Sequence, residues 1–478
     1  MDIKLLRGRR QLVNKCQLEN RLPDEVHLLA TMKLAKQSVR CLRCNHETPC
    51  RQAALPNGQF YCPHCLNLGR VSTLTRFYHV KESNQFCPPA DVLAWHGQLS
   101  SLQIKVASEV KQRMGDHEHC LLWAVTGAGK TEMIFPTVAQ ALQRHERVGI
   151  ASLRVDVCLE LYPRFCKAFR VPIALLHGRA KQPYSYRQLT ICTTHQLLRF
   201  YRAFDLLIVD EVDAFPYASN NALLFATQQA LKRDGGLLLM TATPGKTLFQ
   251  AIKRQQLKVS YLPLRYHGHL LPEIHCYLSW HWRAKMMQGH LPISLLRWIK
   301  QHCAARQRFL LFVPHINDLA VISNILQRSL SANNTFATVY SSDPDRLVKV
   351  QGMRDCKYLF LVTTTILERG VTFPGIDVAV LGADDPVFSS SALVQIAGRV
   401  GRSSKRPTGL VDFWINEYSR AVKQAQLEIK TMNLKGRRLA HEMSIMPTDD
   451  QKADFNQSII SIKANLQTRN LRTLSRNI

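Results

Sequence analysis

Two successive series of short apolar runs, each run followed by a helix-like stretch, constrain the fold of this chain more than any other feature. The first series, between about residues 95 and 260, contains CLLWAVTG, RVGIASL, LTICTT, DLLIVDE and GLLLMTATP. The second, between about 265 and 430, contains RFLLFVP, FATVYSS, YLFLVTTT, VAVLGAD and GLVDFWI. Apolar runs without alternation suit strands buried on both faces, and strand signals that alternate with helix signals predict parallel sheets. The sequence therefore predicts two tandem α/β domains.

The remaining segments differ from these domains in composition. A chain of 478 residues is too long for one core, so several domains are expected. The stretch YLPLRYHGHLLPEIH at 261–275 has two prolines and a glycine and is typical of a linker. The sequence thus predicts five parts, in order: a basic N-terminal segment (1–39), a cysteine-rich module (40–87), the first α/β domain (88–260), the second (261–432) and a polar tail, helical or partly disordered (433–478).

The charge of the chain is strongly one-sided. Lys and Arg total 63 against 35 Asp and Glu, which gives a net charge of +28 and an isoelectric point near 9.8. Such an excess predicts a polyanionic partner, either a nucleic acid or an anionic membrane surface. The N-terminus has no apolar signal region, and no apolar run has the length of a membrane span. Cysteines scattered singly through the α/β domains favour a reducing cytoplasm.

Four cysteines near the N-terminus have the spacing of a zinc site. Cys41-x2-Cys44 is followed after 17 residues by Cys62-x2-Cys65. Each pair can present two thiolates from a tight knuckle, and two knuckles complete a tetrahedral Zn²⁺ shell without an open position, so a structural role is expected. Three further donors nearby compete for the ion, although the paired spacing does not require them: His46, Cys50 and His64.

The segment AVTGAGKTEM, residues 124–133, follows an apolar run and precedes a helix-like stretch. Gly127 and Gly129 allow a tight strand-to-helix turn, whose N–H groups, from Thr126 through Gly129, together with the helix N-terminus form a nest for phosphates. Lys130 is predicted to reach the β- and γ-phosphates of ATP, and the hydroxyl of Thr131 to bind Mg²⁺.

The stretch DLLIVDEVDAFP, residues 205–216, places three carboxylates at the end of a buried strand. Alone it is equally compatible with a solvated acidic turn. Beside a phosphate loop, Asp210 is predicted to bind Mg²⁺ and Glu211 to polarise the attacking water. Asp213 is predicted to connect this cluster to the hydroxyls of Thr241 and Thr243 at the end of the following strand.

In the second α/β domain, LVQIAGRVGRS (393–403) carries Gln395, Arg399 and Arg402 at helical spacing. Arg399 and Arg402 lie three residues apart and are expected to share one helix face. Taken alone they indicate a basic surface patch. With a phosphate loop present, they are predicted to enter the nucleotide site from the opposite domain as arginine fingers.

The ordered series AVTGAGKT, TTHQL, DEVD, TAT, TTTILERGVTF and QIAGRVGRS resembles the motifs of superfamily 2 helicases over roughly residues 95–405. Position 124 is Ala where the general phosphate loop has Gly, and this matches a helicase variant of the loop. The segments DEVDAFP, ASLRVDVCLEL and LERGVTF, with the four-cysteine module, resemble the ComFA family of bacterial competence motors. PriA-type primosomal helicases are the nearest alternative, since they also combine a zinc module with this motor.

The ComFA resemblance implies two RecA-like domains that use ATP and act on single-stranded DNA. It further implies work at the cytoplasmic face of the membrane, as a peripheral protein, with the ComEC channel, ComFC and DNA-processing proteins as partners; a homo-oligomer is also compatible with it. By motif position, Gln103 is expected to read adenine and Gln395 to contact the nucleotide. Four residues match positions that contact the DNA backbone: Arg154, Thr193, Thr194 and His195.

Three functions remain open at this point. The first is an ATP-driven DNA translocase, the second a scaffold that binds DNA without hydrolysis, and the third a PriA-type replication-restart helicase. The intact set Lys130, Asp210, Glu211, Arg399 and Arg402 argues for hydrolysis and against the scaffold.

Overall fold

In the computed structural model of the chain, residues 3–14, 23–179, 183–214, 217–331, 333–369 and 371–444 are described. The predicted tail lies outside these residues from 445 onward, as do Phe215 and Pro216 of the acidic motif and Gly370 of LERGVTF. None of the helices in the described ranges has the length and apolar composition that a bilayer span requires.

The N-terminal unit is a set of small antiparallel sheets. Its elements are β1 (Gln11–Asn14), β2 (His27–Leu29), β3 (Met32–Leu34), β4 (Ser38–Cys41), β5 (Glu47–Pro49), α1 (Cys50–Ala53), β6 (Ala54–Leu55), β7 (Gln59–Phe60) and β8 (Thr75–His79). Both β1 and β2 pair with β8, and β3 and β5 pair with β4. Strands on either side of residue 39 therefore pair with each other, and the described part of the basic segment folds together with the cysteine-rich region as one unit.

The first α/β domain is built on a parallel sheet. Its elements are α2 (Ser101–Gly115), β9 (His119–Ala124), α3 (Lys130–Met133), α4 (Phe135–Gln143), β10 (Val148–Ser152), α5 (Val155–Ala168), β11 (Ile173–Leu176), β12 (Leu189–Thr193), β13 (Phe204–Asp210), α6 (Asn221–Ala230), β14 (Leu231–Thr241), α7 (Lys246–Lys253) and β15 (Lys258–Leu262). Among the described residues, seven strands pair in the order β11-β12-β10-β13-β14-β9-β15. The central strands are buried on both faces, which is why their sequences are continuously apolar.

The second α/β domain repeats this plan. Its elements are β16 (His275–Leu278), α8 (Trp282–Met287), α9 (Ile293–Ala304), β17 (Phe309–Phe312), α10 (Ile316–Ser329), β18 (Phe336–Val339), α11 (Arg346–Arg354), β19 (Phe360–Thr363), β20 (Asp377–Leu381), α12 (Ser390–Ala397), β21 (Val411–Ile415) and α13 (Arg420–Ser444). Six parallel strands of the described chain pair in the order β16-β21-β20-β17-β19-β18. The two-domain parallel α/β fold predicted from the sequence is therefore confirmed.

Helix α13 connects the second domain back to the first. It continues without a break through residue 432, where the sequence placed the start of a separate tail, to Ser444. The amide of Asn433 bonds both the N–H and the C=O of Leu271 in the linker, each at 2.9 Å. The ammonium of Lys435 lies over the rings of Trp123 and Tyr261 at 5.4 and 5.3 Å. Helix α13 thus packs against the linker and both domains.

Candidate functional site: a nucleotide cleft, a groove and a four-cysteine cluster

The phosphate loop connects β9 to α3 at the carboxyl edge of the first sheet. Gly127 and Gly129 have φ of +79° and +75°, in the left-handed region that favours glycine, and they make the tight turn predicted from the sequence. The loop from Thr126 to Thr131 lines a cavity of about 440 Å³ between the two α/β domains. The N-terminus of α3 therefore faces a space that suits a polyanion.

Lys130 is the cation of this loop. Its ammonium donates hydrogen bonds to the carbonyl oxygens of Ala124 and Val125, at 3.1 and 3.5 Å. Burial lowers its pKa, and the carboxylates of Asp210 and Glu211 oppose this effect. The ammonium therefore lies where phosphate oxygens of a nucleotide can replace the loop carbonyls as acceptors.

The acidic cluster begins at the last residue of β13. Burial, with the neighbouring Glu211 carboxylate, raises the pKa of Asp210 to about 6. Glu211 itself has a left-handed φ of +55°, and its N–H donates to Oδ1 of Asp210 at 2.8 Å. Within the described residues, the buried Oε2 of Glu211 has no hydrogen-bond partner. Two crowded carboxylates beside a phosphate loop are a donor set that fits Mg²⁺ and a bound water.

Asp213 connects the two domains. Its carboxylate accepts hydrogen bonds from the hydroxyls of Thr241 (2.5 Å) and Thr243 (2.6 Å), the two threonines singled out in the sequence. It also accepts from Ser391 (3.0 Å) and from the guanidinium of Arg369 (2.7 Å), both in the second domain. Sequence reasoning did not identify Ser391 and expected the arginine of TTTILERG, Arg369, to hold DNA phosphates, because nothing in the primary structure shows which residues meet a carboxylate from more than 150 positions away.

The expected helical placement of the two arginine fingers is wrong. Helix α12 ends at Ala397, so Arg399 and Arg402 lie in the turn that follows it. Gly401, with φ of +69°, turns the chain out of helical geometry, and Gly398 packs so closely on Thr126 that a Cβ there would collide with the threonine side chain. The absence of a side chain at Gly398 lets the turn lie directly on the phosphate loop, and the conformation of Gly401 directs the chain away from the helix axis.

The two arginines have different environments in this turn. The side chain of Arg402 lines the nucleotide cavity, and its Nε donates to the carbonyl of Gly398 at 3.0 Å. Arg399 is 1% exposed; its Nε donates to the carbonyl of Glu368 at 3.1 Å, and its Nη1 and Nη2 have no partner in the described part of the chain. Burial and the nearby Arg402 lower the pKa of Arg399. An unpaired buried guanidinium next to a polar cleft fits a polyanionic ligand.

Two predicted nucleotide contacts, Gln103 and Gln395, are buried and line the cavity. The amide of Gln103 caps α2 by accepting from the N–H of Ser100 (2.8 Å) and donates to the carbonyl of Ala128 (2.8 Å). Gln103 therefore supports the phosphate loop through its side chain. Cavity residues that sequence reasoning did not identify include Trp95, Gln98, Leu99, Arg164, Tyr266 and Thr372.

The linker contributes to the cleft, although its prolines and glycine indicated only a spacer. Nη1 of Arg265 and Nε2 of His267 both contact the carbonyl oxygen of Gly401, each at 2.9 Å. The N–H of Tyr266 donates to the carbonyl of Gly127 at 3.0 Å. Three consecutive linker residues thus join the phosphate loop to the arginine turn.

A separate groove lies at the carboxyl edge of the second sheet, where Arg154 of the first domain contacts it. It has a volume of about 500 Å³ and is lined by Arg154 of the first domain and by residues that follow β17, β18 and β19 of the second. The guanidinium of Arg154 bonds the carbonyl of Ile366 (3.0 Å) and the carboxylate of Glu368 (3.2 Å). Of the other residues expected to contact DNA, Thr193 ends β12, and Thr194 and His195 begin a short 3-10 helix, with only His195 exposed.

The four predicted zinc ligands meet in one cluster. The Sγ atoms of Cys41, Cys44, Cys62 and Cys65 lie within 4.8 Å of one another, and all four residues are buried. The Cys41–Cys65 and Cys44–Cys62 sulfur pairs are 3.8 and 3.6 Å apart. A tetrahedral site with Zn–S bonds of about 2.3 Å requires sulfurs separated by about 3.8 Å, so the cluster fits the ion.

The neighbours of this cluster favour a structural site. Arg43 is buried, and its guanidinium donates to Sγ (3.4 Å) and to the carbonyl oxygen (3.0 Å) of Cys65. Such a cation orients a ligand and offsets thiolate charge. Among the described residues, the group of metal-ligand side chains at this position contains the four cysteines and does not include His46, Cys50 or His64. The rings of His46 and His64 stack on each other at 4.0 Å instead.

Comparisons with known proteins agree with this geometry. A family profile described as the type III restriction enzyme res subunit matches residues 96–246, and one described as the helicase conserved C-terminal domain matches residues 293–404. The DEAD-box helicase Mss116, solved with ssRNA and UDP-BeF, superposes with a TM-score of 0.53 at 16% identity, covering 72% of this chain and 82% of that one. This likeness shows that the two α/β domains have the RecA-like fold.

Closer relatives cover most of the chain. The competence protein ComFA of Streptococcus pneumoniae (strain ATCC BAA-255 / R6) is 40% identical over 421 residues, which are 87% of this chain and 96% of that protein. ComFA of Bacillus subtilis (strain 168) is 38% identical over 408 residues, which are 84% of this chain and 87% of that protein.

A more distant relative matches a smaller part of the chain. The replication restart protein PriA of Helicobacter pylori (strain J99 / ATCC 700824) is 25% identical over 183 residues, which are 34% of this chain and 29% of that protein.

Proposed function

The chain belongs to the ComFA family of competence proteins and is a superfamily 2 helicase-type ATPase, and we propose that it is a motor that moves along single-stranded DNA to drive the uptake of transforming DNA. The observation that carries the proposal is the contact between Gly398 and Thr126, which sets the arginine turn of one domain on the phosphate loop of the other. A nucleotide site formed by both domains couples hydrolysis to their relative movement.

Bound ATP with Mg²⁺ supplies the phosphoanhydride bond whose hydrolysis drives the cycle. Lys130 and the backbone N–H groups of the loop bind the phosphates, while Thr131 and Asp210 hold the metal ion. Glu211 accepts a hydrogen bond from the attacking water through its unpaired Oε2 and orients that water. Arg399 and Arg402 neutralise the charge that develops on the transferred phosphoryl group.

The groove beside Arg154 is the proposed path of the DNA strand. Its polar lining consists of hydroxyls, an amide, an imidazole and one guanidinium from both domains: Arg154, His315, Asn317, Ser341, Thr364 and Thr365. Such groups bind phosphates without reading base edges, so affinity is expected to be nearly independent of sequence. The net charge of +28 further supports a nucleic acid as the partner.

A short chain of contacts connects this groove to the nucleotide. Arg154 lines the groove and bonds the carboxylate of Glu368 at 3.2 Å, and the carbonyl of the same Glu368 accepts from Arg399 at 3.1 Å. A strand in the groove thereby favours the arrangement in which Arg399 is buried at the cleft. Nucleotide binding must then change DNA affinity by the same factor, because linkage is reciprocal.

The remaining parts of the proposal follow from the family. We propose that the motor works at the cytoplasmic face of the membrane, as a peripheral protein that delivers its strand from the ComEC channel toward ComFC and DNA-processing proteins, and that it can assemble as a homo-oligomer. The four-cysteine cluster is proposed to bind one structural Zn²⁺. A PriA-type restart function is disfavoured because that likeness extends over only 34% of the chain.

The test is an ATPase assay of the full-length protein with no nucleic acid, single-stranded DNA, duplex DNA or RNA. We expect single-stranded DNA to give the largest stimulation, and Lys130→Ala serves as the inactive control. DNA binding without any stimulation of hydrolysis would support the passive scaffold instead. Efficient unwinding of a forked duplex would favour the restart helicase.

A further inference from the structure

A second cavity, of about 510 Å³, lies where the N-terminal unit meets the first α/β domain. Its walls come from four segments, 4–7, 85–89, 171–172 and 184–188, and we call it the seam pocket. Residues 172 and 188 directly precede β11 and β12, so the pocket lies at the amino edge of the sheet. The phosphate loop and Arg154 lie at the carboxyl edge, roughly 17 Å away along a strand of five residues.

The charged side chains among the described residues that line the seam pocket are all basic. Its lining includes Lys4, Arg7 and Arg187, and no Asp or Glu is among the described residues that line it. Arg7 is 8% exposed; its Nη1 bonds the amide of Gln85, and its Nε has no partner in the described part of the chain. Arg187 is exposed at the rim. Nη2 of Arg7 also lies 4.0 Å from the carboxylate of the exposed Glu25, and such a solvent-exposed pair is weak. A cavity whose described lining carries cations and no carboxylate recognises an anion.

Three aromatic residues, Phe86, Tyr184 and Tyr186, form a second part of the wall. The ring of Phe86 stacks on that of Tyr186 with centroids 4.9 Å apart and an interplanar angle of 22°. The hydroxyl of Tyr186 donates to Glu82, and the hydroxyl of Tyr184 accepts from Arg147 at 2.5 Å. Arg147 and Glu82 form an ion pair whose side chains are both fully buried. The network holds the tyrosine rings in place, with Arg9 over the ring of Tyr184 at 3.9 Å and Arg147 over that of Tyr186 at 4.9 Å. The half-buried ring of Phe86, supported from below by Tyr186, is therefore the one that is pre-organised to stack on a ligand.

We propose that the seam pocket binds a nucleotide unit, with its phosphate on Arg7 and Arg187 and its base against the ring of Phe86. This ligand chemistry has two sources, a nucleotide within a DNA strand or a free mononucleotide. The inference goes beyond the proposed motor function, since the site shares no residue with the ATP cavity or with the groove. The N-terminal unit, and the segment that follows it, then contribute to ligand binding through residues 4–7 and 85–89.

The DNA source is tested on the full-length protein with an oligothymidylate that carries 5-iododeoxyuridine. After irradiation, mass spectrometry should find adducts on Phe86, Tyr184 or Tyr186. Phe86→Ala should weaken single-stranded DNA binding about fivefold or more, because base stacking on one aromatic side chain is worth at least that factor. Arg187→Ala should reduce the slope of log affinity against log salt by about 0.7, the value for one lost phosphate contact.

The matched control is Arg297→Ala, which removes an exposed arginine of α9 in the other domain and should change neither quantity. ATPase activity without DNA should remain at the wild-type level in both pocket variants, because neither residue lies in the cleft. DNA could fail to stimulate the ATPase of the wild-type protein while cross-linked adducts still form in the pocket. In that case the motor proposal fails and the seam-pocket inference stands.

The mononucleotide source is tested by calorimetric titration with thymidine monophosphate while a non-hydrolysable ATP analogue saturates the cleft. Saturable binding that Phe86→Ala abolishes, without an effect on DNA, supports the site and identifies a free nucleotide as its ligand. The absence of pocket adducts, together with wild-type DNA and mononucleotide binding in both variants, overturns the inference.

Discussion

Oδ2 of Asp213 accepts a hydrogen bond from Nη2 of Arg369 at 2.7 Å, and this buried ion pair crosses from the first α/β domain to the second. Burial alone would raise the pKa of Asp213, but Arg369 and the hydroxyls of Thr241 and Thr243 hold it at about 2. A lowered carboxyl pKa gives stability that is present above the unfolded value and is lost only as the pH falls through about 2. The contact is therefore ionised throughout the physiological range.

Arg369→Ala is expected to uncouple the nucleotide from DNA. The substitution leaves the Asp213 carboxylate buried without its cation. This destabilises the arrangement in which the two α/β domains are in contact by about 3–5 kcal/mol. DNA affinity, measured by fluorescence anisotropy with and without a non-hydrolysable ATP analogue, should then become the same in both states. Arg354→Ala, at an exposed position of α11 in the same domain, is the control. A nucleotide effect of wild-type size in the Arg369 variant contradicts the prediction.

Two variants of the cleft should separate nucleotide binding from hydrolysis. Lys130→Ala removes the cation of the phosphate loop and should abolish productive ATP binding. Glu211→Gln keeps the size of the side chain but removes the base, so ATP should still bind while turnover falls about 10²- to 10⁴-fold. Binding of a fluorescent ATP analogue and release of phosphate measure the two steps. Turnover near the wild-type rate in either variant shows that the residue has been given the wrong role.

Removal of the proposed zinc should destabilise more than the N-terminal unit. The four cysteines belong to one buried cluster with Leu121, Phe200 and Phe204 of the first α/β domain. The double variant Cys62→Ser with Cys65→Ser should therefore lose the metal and lower the melting temperature of the ATP-binding domain as well. Elemental analysis and thermal unfolding, followed with and without a nucleotide, check the two expectations.

Cys50→Ser is the matched control for the zinc variant, since Cys50 lies in the same unit but outside the sulfur cluster. It should keep one equivalent of zinc and the wild-type melting temperature. Pure wild-type protein without zinc would refute the metal assignment. Metal loss that leaves the melting of the ATP-binding domain unchanged would show that the shared core does not transmit the effect.

Glu428 on α13 should make stability depend on pH. Burial and the nearby Asp213 carboxylate raise the pKa of Glu428 to about 7. A raised carboxyl pKa means that stability present below the unfolded value is lost as the pH rises through about 7. Glu428→Gln, which stays neutral, should match the wild type at pH near 4, below the unfolded pKa, and exceed it at pH near 8.5 by about 1–3 kcal/mol, since solvent screens part of the effect.

Urea unfolding at the two pH values measures this difference. Glu417→Gln, at an exposed position just before α13, is the control and should show no such dependence. An equal difference between the Glu428 variant and the wild type at both pH values would exclude titration of this carboxyl as the cause.

Local sequence was sufficient wherever the chemistry lies within a few residues. Continuous apolar runs predicted the parallel strands, because a strand covered on both faces has no polar side to show. Gly127 and Gly129 predicted the phosphate loop, since their φ values of +79° and +75° suit residues without a Cβ. The spacing of Cys41, Cys44, Cys62 and Cys65 predicted the sulfur cluster, because each pair forms its own knuckle.

Tertiary structure alone decided the contacts between distant segments. Arg369 meets Asp213 across 156 positions, and Arg265 meets Gly401 across 136, so no local pattern links the partners. Helical spacing placed Arg399 and Arg402 on a helix face, but α12 ends at Ala397, Gly398 packs against Thr126 and Gly401 turns the chain with φ of +69°. Propensity and periodicity describe one segment at a time, whereas the energy of docking a second domain is absent from both. The position of the arginines at the cleft is therefore a property of the folded pair of domains, and their identity is a property of the sequence.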